Sequence, residues 1–394
     1  MAYRLPFKPR RRSVLRGLLA VGACGMTSQL WAACSSTASD APGTDEANGA
    51  THPPVTVGFI YEGPKDDYGY NQSHAQAVAV MAAQFPALNV VEEARVPETT
   101  AVQETIRNMI EQDGASVIFS TSHGYLEPHV LQLAAEFPQV QFLQPNQLLD
   151  ESYPPNVGSY FCYLIEPAYL VGMTAGLATQ SNLLGLVIPK LIPAVMREVN
   201  SFVLGARRVK AQVSAQAVVT GEWNSPVKEA EAAHSLIDQG ADVMLPRVDN
   251  AKVIATIAKN RGVFYCGYHV NQAGLAPENF LTGIEWNWQT IYLHYADMIL
   301  AGKTLMNGGI PRTLIGGLRE KYSKTSSFGI NVSVDQQRNI ETINEKLIHD
   351  DLVVFAGPIK DNQGNVVIPE GDAYRLGDPR LDTMDWFVEG IKTN

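Results

Sequence analysis

From Val55 onward, apolar positions come in short runs separated by polar stretches of helical composition. Residues 55–61 form an apolar run rich in β-branched side chains, and residues 73–85 read as a helix. The pattern then predicts a strand over 88–96 and a helix over 99–112, opened by Thr99 or Thr100 with Glu104 in its early turns. A strand over 116–120, a helix over 126–137 and a strand over 140–143 complete the first half. Strands alternating with helices of this length predict βαβ units and a parallel sheet.

The same alternation returns further on. Strands are predicted over 183–188, 215–220, 242–245 and 264–267, with helices over 193–209, 226–239 and 251–260 between them. Two such series exceed what one sheet usually holds, so the reading is two doubly wound α/β lobes. One is expected over 55–165 plus about 270–305, the other over 166–268 plus about 306–394. Ligands of open α/β sheets bind beyond the carboxyl ends of the strands, which makes the cleft between the lobes the expected site.

Polar and aromatic residues do cluster at those ends. Tyr61 and Glu62 follow the first strand, and Asp66-Asp67-Tyr68-Gly69-Tyr70-Asn71-Gln72 leads into its helix. Ser122 and His123 follow the third strand, Trp223 the strand over 215–220, Arg247 and Asp249 the next, and His269 and Asn271 the last. Flat aromatic rings stack on heterocycles, and carboxylates and amides bond sugar hydroxyls or ring N–H groups. A phosphate site would need a glycine-rich loop or clustered cations, and Arg247 stands alone at these turns, which argues against nucleotides. Each residue has a purely structural alternative. Asn71 and Asp249 are placed to cap helices, Tyr70 and Trp223 to pack on their own lobes, and His123 and His269 to bond within loops. Trp286 and Trp288 would share a face in a strand, one toward ligand and the other in the core.

The start of the chain differs. Residues 1–16 carry six basic side chains and no acidic one, and the uncharged stretch 17–39 follows. This is an export-signal pattern, and Arg11-Arg12-Ser13-Val14-Leu15-Arg16 resembles a twin-arginine signal. Cys34, or alternatively Cys24, follows small residues as in a lipoprotein signal, and residues 34–54 read as a flexible tether. A retained membrane anchor or a freely released protein are the alternatives. Loss of residues 1–33 removes six of 30 basic residues, leaving 24 against 40 acidic, a net −16 in place of −10. Such a surface disfavours nucleic acid and anionic lipid. Contact with a membrane is expected only through the lipid. Cys162 and Cys266 read as buried thiols.

The chain has no nucleophile elbow, metalloprotease motif, phosphate loop or dinucleotide fingerprint, so neither a catalytic residue nor a metal or cofactor is expected. The run Asp67-Tyr68-Gly69-Tyr70-Asn71-Gln72 resembles the Asp-x-Ser-Phe-Asn-Gln run of the basic membrane protein family of ABC-transporter solute-binding lipoproteins, which includes bacterial purine-nucleoside receptors. Similar matches are Glu166-Pro167-Ala168-Tyr169-Leu170-Val171-Gly172, Gly221-Glu222-Trp223, Gly240-Ala241-Asp242-Val243, Gly267-Tyr268-His269-Val270-Asn271 and Trp286-Asn287-Trp288. The tail, with Lys360-Asp361-Asn362-Gln363-Gly364 and Met384-Asp385-Trp386, extends the likeness over about 340 residues.

The resemblance implies a type I periplasmic-binding-protein fold with three crossovers, a purine nucleoside or nucleobase ligand, and delivery to a permease and ATPase without chemistry. It implies that Tyr70 and Trp223 flank the base and that Asn71 bonds its edge or the ribose, with Glu166 opening a helix. Asn271 stands where the family has an acid, Gly69 where it has serine, and Tyr70 where it has phenylalanine, so adenosine itself need not be the ligand. A sensory protein of the same fold and an exported nucleoside hydrolase are the competing functions.

Overall fold

Five short strands whose side chains are mostly buried begin the computed structural model, which describes residues 55–147 and 149–393. The predicted signal, both N-terminal cysteines and the tether lie outside the described residues. Strands β1 (Val55–Ile60), β2 (Leu88–Glu93), β3 (Ala115–Ser120), β4 (Gln141–Pro145) and β5 (Val157–Cys162) alternate with helices α1 (Tyr70–Gln84), α2 (Ala101–Glu111) and α3 (Leu131–Glu136). They pair in parallel in the order β5-β4-β3-β1-β2. Helices α4 (Ile165–Ala178), α5 (Pro193–Val209), α6 (Pro226–Asp238) and α7 (Lys252–Arg261) are interleaved with β6 (Leu183–Ile188), β7 (Ser214–Val219), β8 (Val243–Pro246), β9 (Phe264–His269) and β10 (Phe280–Trp286). The second sheet runs β10-β9-β8-β6-β7, the same winding repeated. Both are doubly wound sheets with a switch point beside their first strand.

Apolar clusters cover the faces of each sheet, among them Ile60, Ile118 and Phe142 in the first and Met244, Tyr265 and Val187 in the second. That is why the strands read as continuous apolar runs rather than alternating ones. Helices α4 and α5 pack so tightly that a Cβ on Gly172 would stand 1.9 Å from the Phe202 carbonyl oxygen. Glycine is required there by the approach of the two backbones.

Within the described residues the chain passes between the sheets three times. It leaves the first sheet after β5 and returns through α8 (Trp288–Leu300) to β11 (Thr313–Gly316) beside β5. It then crosses to β12 (Ser323–Thr325), antiparallel to β10. Helix α9 (Val334–Ile348) and a C-terminal segment follow, whose strand Ile391–Thr393 joins β7 in parallel.

The expected lobe limits change at two places. β10 lies within the stretch assigned to the first lobe yet pairs in the second sheet, and β11 lies within the tail yet pairs in the first. Long-range strand pairing decides such membership, and local periodicity carries no information about it. Of the 270–305 stretch, α8 and the turn after it pack on the first lobe, where Trp288 Nε1 donates to Ser73 Oγ on α1 at 3.0 Å and the Leu305 amide donates to Gln141 Oε1 at 2.7 Å. The helix expected over 126–137 is also broken. Glu127, which precedes Pro128, is extended (φ −109°, ψ 126°), and regular helix begins only at Leu131.

Candidate functional site

The carboxyl ends of both sheets face one cleft of about 450 Å³. The first lobe contributes Glu62, Tyr70, Glu98, Ser122, His123, Asn146, Gln147, Phe161 and Cys162. The second contributes Ile192, Pro193 and Ala194 at the start of α5, Arg197 and Glu198 on it, and Trp223, Arg247, Asp249, His269 and Trp286 beyond or at strand ends. Asp382 arrives from the C-terminal segment. Strand ends are natural positions for such residues because the helix that follows each strand starts from a loop free to carry a polar group.

Seven of the twelve expected residues line this cleft: Tyr70, Ser122, His123, Trp223, Asp249, His269 and Trp286. The other five do structural work elsewhere. Tyr61 is fully buried and donates to Glu92 Oε1 at 2.7 Å. Asp67 accepts from the backbone amides of Gly69, Asn71 and Gln72, satisfying the free N–H groups of the first turn of α1. Asn71 is buried and does not line the cleft, its amide donating to Asp67 and its carbonyl accepting from the Gly63 amide. Glu166 accepts from the Leu318 amide at 2.9 Å, and Asn271 accepts from the Ala273 amide in an exposed turn. All five lie near strand or helix ends, which the sequence shows, while the direction of each side chain depends on neighbours remote in the chain. Trp286 and Trp288 stack at 4.7 Å, with Trp286 at the cleft and Trp288 buried at the start of α8.

Sequence reasoning did not single out Arg197, Glu198, Asp382, Glu98 or Phe161. The first two sit in mid-helix and Asp382 in the tail, and nothing local marks them. Arg197, Glu198 and Asp382 build two buried ion pairs, the second with Arg247. Arg197 Nη1 meets Asp382 Oδ1 at 2.9 Å, with Tyr163 donating to the other carboxylate oxygen. Arg247 Nε meets Glu198 Oε2 at 3.0 Å, and Tyr268 donates to the same oxygen. Both guanidinium groups are thus neutralised inside the protein. Arg247 also lies over the rings of Trp223 and Tyr268, at 5.7 and 5.0 Å. Among the described residues no arginine or lysine forms an ion pair with Glu62, Glu98 or Asp249, so the cleft is acidic on balance.

Burial pushes the Asp249 carboxyl up to about 7, partly offset by the Arg247 charge. Burial raises Glu62 as well, with Asp249 adding repulsion. For Asp249 the sign follows directly. Between the ordinary carboxylate value near 4 and pH 7, the folded chain holds a proton that the unfolded chain releases, so stability falls as pH rises through that window. Asp249→Asn is therefore expected to raise the ligand-free melting temperature at pH 8 and to leave it unchanged near pH 4. An equal shift at both pH values would remove the buried charge as its cause.

The lobes touch beside the cleft. Gln272 Nε2 donates to the Tyr68 carbonyl at 2.7 Å, and Lys252 Nζ donates to the Asp66 carbonyl at 2.9 Å. Gly69 packs directly on the Asp249 backbone. On the side where the chain crosses, Glu166 bonds Leu318 and the Cys162 thiol bonds the Tyr322 carbonyl, joining the first and third crossings.

Two like-wound lobes, triple crossing and an interlobe cleft define the type I periplasmic-binding-protein fold, the architecture of extracytoplasmic solute-binding proteins. A solved ABC-transporter solute-binding protein from Conexibacter woesei shares this fold, with a TM-score of 0.62 and 23% identity over 76% of this chain and 97% of that one. Residues 54–354 match the Bmp family, described as ABC transporter substrate-binding protein PnrA-like, and the chain belongs to that family. It is 28% identical to a purine-binding protein of Brucella abortus over 86% of this chain and 93% of the relative. It is 26% identical to a putative ABC-transporter glucose-binding protein of Haloferax volcanii, over 90% of this chain and 85% of the relative. Membership implies a small-molecule ligand and permease partners, outside the cytoplasm. Among the described residues no helix is long and apolar enough to cross a membrane.

Proposed function

We propose that the protein captures a purine nucleoside or nucleobase between its lobes and delivers it to the permease and ATPase of an ABC importer. The observation that carries this reading is the lining of the cleft, where Tyr70, Phe161, Trp223 and Trp286 supply aromatic surface beside hydrogen-bonding carboxylates. With both arginines already paired, the cleft favours an uncharged heterocycle over a phosphorylated one. Its volume of about 450 Å³ is within the range of roughly 300–1,000 Å³ common to small-molecule sites. The relative named for purine binding points the same way. Ligand bridging the lobes stabilises the closed arrangement, and its release at the permease accompanies opening.

The reading extends to the N-terminus. Export through the twin-arginine-like signal, attachment by a lipid on Cys34 or Cys24, and a tether over 34–54 would hold the two lobes near the permease. Loss of lipid incorporation in Cys34→Ala, with Cys24→Ala unaffected, is the outcome that assigns the anchor.

A thermal-shift screen against nucleosides, nucleobases, sugars and amino acids tests the ligand class. A ligand at about 100 times its dissociation constant adds about 2.7 kcal/mol to stability. A rise in melting temperature with purine compounds alone is expected. A rise confined to glucose or other sugars would transfer the site to that class, and conversion of nucleoside to free base would mark a hydrolase.

A further inference from the structure

Strands β8, β9 and β10 are neighbours in the second sheet, and their carboxyl ends place Asp249, His269 and Trp286 together at the cleft. Trp286 Nε1 stands 2.7 Å from His269 Nδ1. An indole N–H only donates, so Nδ1 must present a lone pair and carry no proton. A cationic imidazole, with protons on both nitrogens, is excluded by that contact. Burial works in the same direction, holding the ring's pKa down to about 3. The single proton of the neutral ring therefore sits on Nε2.

That Nε2 is buried, the ring being only 2% exposed, and it completes no hydrogen bond of normal geometry, with the Val248 backbone and Asp249 the groups nearest to partnering it. The Asp249 Oδ1 oxygen is 3.5 Å away and does not complete a bond. The ring cannot turn to find one, because Tyr70 lies edge-on at 5.4 Å, Tyr268 edge-on at 4.3 Å, and Trp286 stacks at 6.3 Å. A buried donor in a ligand cleft without an acceptor marks a place where the ligand supplies one.

We propose that Trp286 locks His269 as its Nε2–H tautomer, and that His269 and Asp249 together read a heterocycle edge presenting an acceptor beside an N–H donor. In a 6-aminopurine that edge is a ring nitrogen next to the amino group; in a 6-oxopurine it is the lactam oxygen next to its N–H. The ligand half of this inference rests on the purine reading above. A donor fixed by its tautomer, beside a carboxyl group whose ionised form only accepts, suits such an edge better than sugar hydroxyls, which rotate to donate or accept and need no tautomer held in place. All three residues belong to one lobe, so the reading edge is assembled before the lobes close.

The test has two arms on the purified protein. In nitrogen-correlated spectra of the ligand-free protein labelled at histidine, His269 is expected to show a bare Nδ1 and a protonated Nε2 at neutral pH. Trp286→Phe, which keeps an aromatic ring but has no donor, is expected to release a mixture of tautomers. A protonated Nδ1 in the unaltered protein overturns the lock and leaves purine binding untouched. In the second arm, adenine is compared with its 1-deaza, 3-deaza and 7-deaza analogues by calorimetry. One deletion is expected to weaken binding roughly tenfold to hundredfold, and the same deletion to matter less than about twofold in His269→Ala. His269→Gln, which returns a donor near that place, is expected to restore part of the discrimination. A deaza penalty that persists undiminished in His269→Ala overturns the donor role. Failure of every purine to bind overturns the purine reading and the ligand half, while the ring spectrum still decides the lock.

Discussion

Gly69→Ala is expected to cost at least a hundredfold in ligand affinity while both lobes remain folded. A Cβ at this position would lie 1.5 Å from the Asp249 carbonyl oxygen and 2.7 Å from its carbon, both backbone atoms of the opposite lobe. No side-chain adjustment relieves such an overlap, and the lobes must stay apart. Gly69 itself has φ −146° and ψ −140°, outside the regular α and β regions, so alanine adds some local strain to the clash with the opposite lobe. The Gln272–Tyr68 and Lys252–Asp66 hydrogen bonds that accompany closure would be lost with it. A hundredfold loss corresponds to about 2.7 kcal/mol of closure energy withheld from the ligand. Calorimetric titration with the ligand identified by the screen gives the affinity. X-ray scattering of the variant should show no contraction on adding that ligand. Binding within a few fold of the unaltered protein would mean that the contact seen at Gly69 is not needed for capture.

Glu198→Ala should lower folding stability by about 3–5 kcal/mol, the usual consequence of leaving a buried charge without its partner. Arg247 and Glu198 have side chains only 6% and 3% exposed, and Glu198 also accepts from Tyr268. Removing the carboxylate leaves a guanidinium only 6% exposed without its ionic partner. The double variant Arg247→Met with Glu198→Leu should recover most of the loss, because apolar residues of similar volume replace a buried pair at little cost. Urea unfolding at neutral pH measures both. A loss below about 1 kcal/mol in the single variant would show that water or another group reaches Arg247. The pair matters to the cleft because it holds Arg247 over Trp223, so the double variant should regain stability without regaining full affinity.

The order of strands and helices was legible from the apolar pattern over 55–143 and 183–267, while β10, α8, β11, β12 and α9 were not read from it. Apolar runs such as those of β1 and β6 are buried on both faces and so read as strands without alternation. The start of α5 at Pro193 was legible for a local reason, since proline suits a first helical turn. The break in the helix after Leu126 was also locally encoded, in Pro128, but the apolar periodicity around it concealed the effect. Position beyond a strand end, another local property, placed Tyr70, Ser122, His123, Trp223, Asp249, His269 and Trp286 at the cleft.

Only the tertiary structure decided which sheet took β10 and β11, because pairing depends on partners far along the chain. It also decided which polar residues were already committed. Asp67 and Asn71 looked like ligand groups in sequence, and both are consumed by backbone amides and by each other. Arg197 and Glu198 carry no local mark in the sequence, and the fold turns them inward against Asp382 and Arg247. Hydrophobic periodicity is a one-dimensional record of burial, whereas a hydrogen-bond partner is a three-dimensional fact. The sequence therefore determined the two lobes and the end of each sheet where a ligand would lie, and the assembled structure alone determined which side chains remain free to meet it.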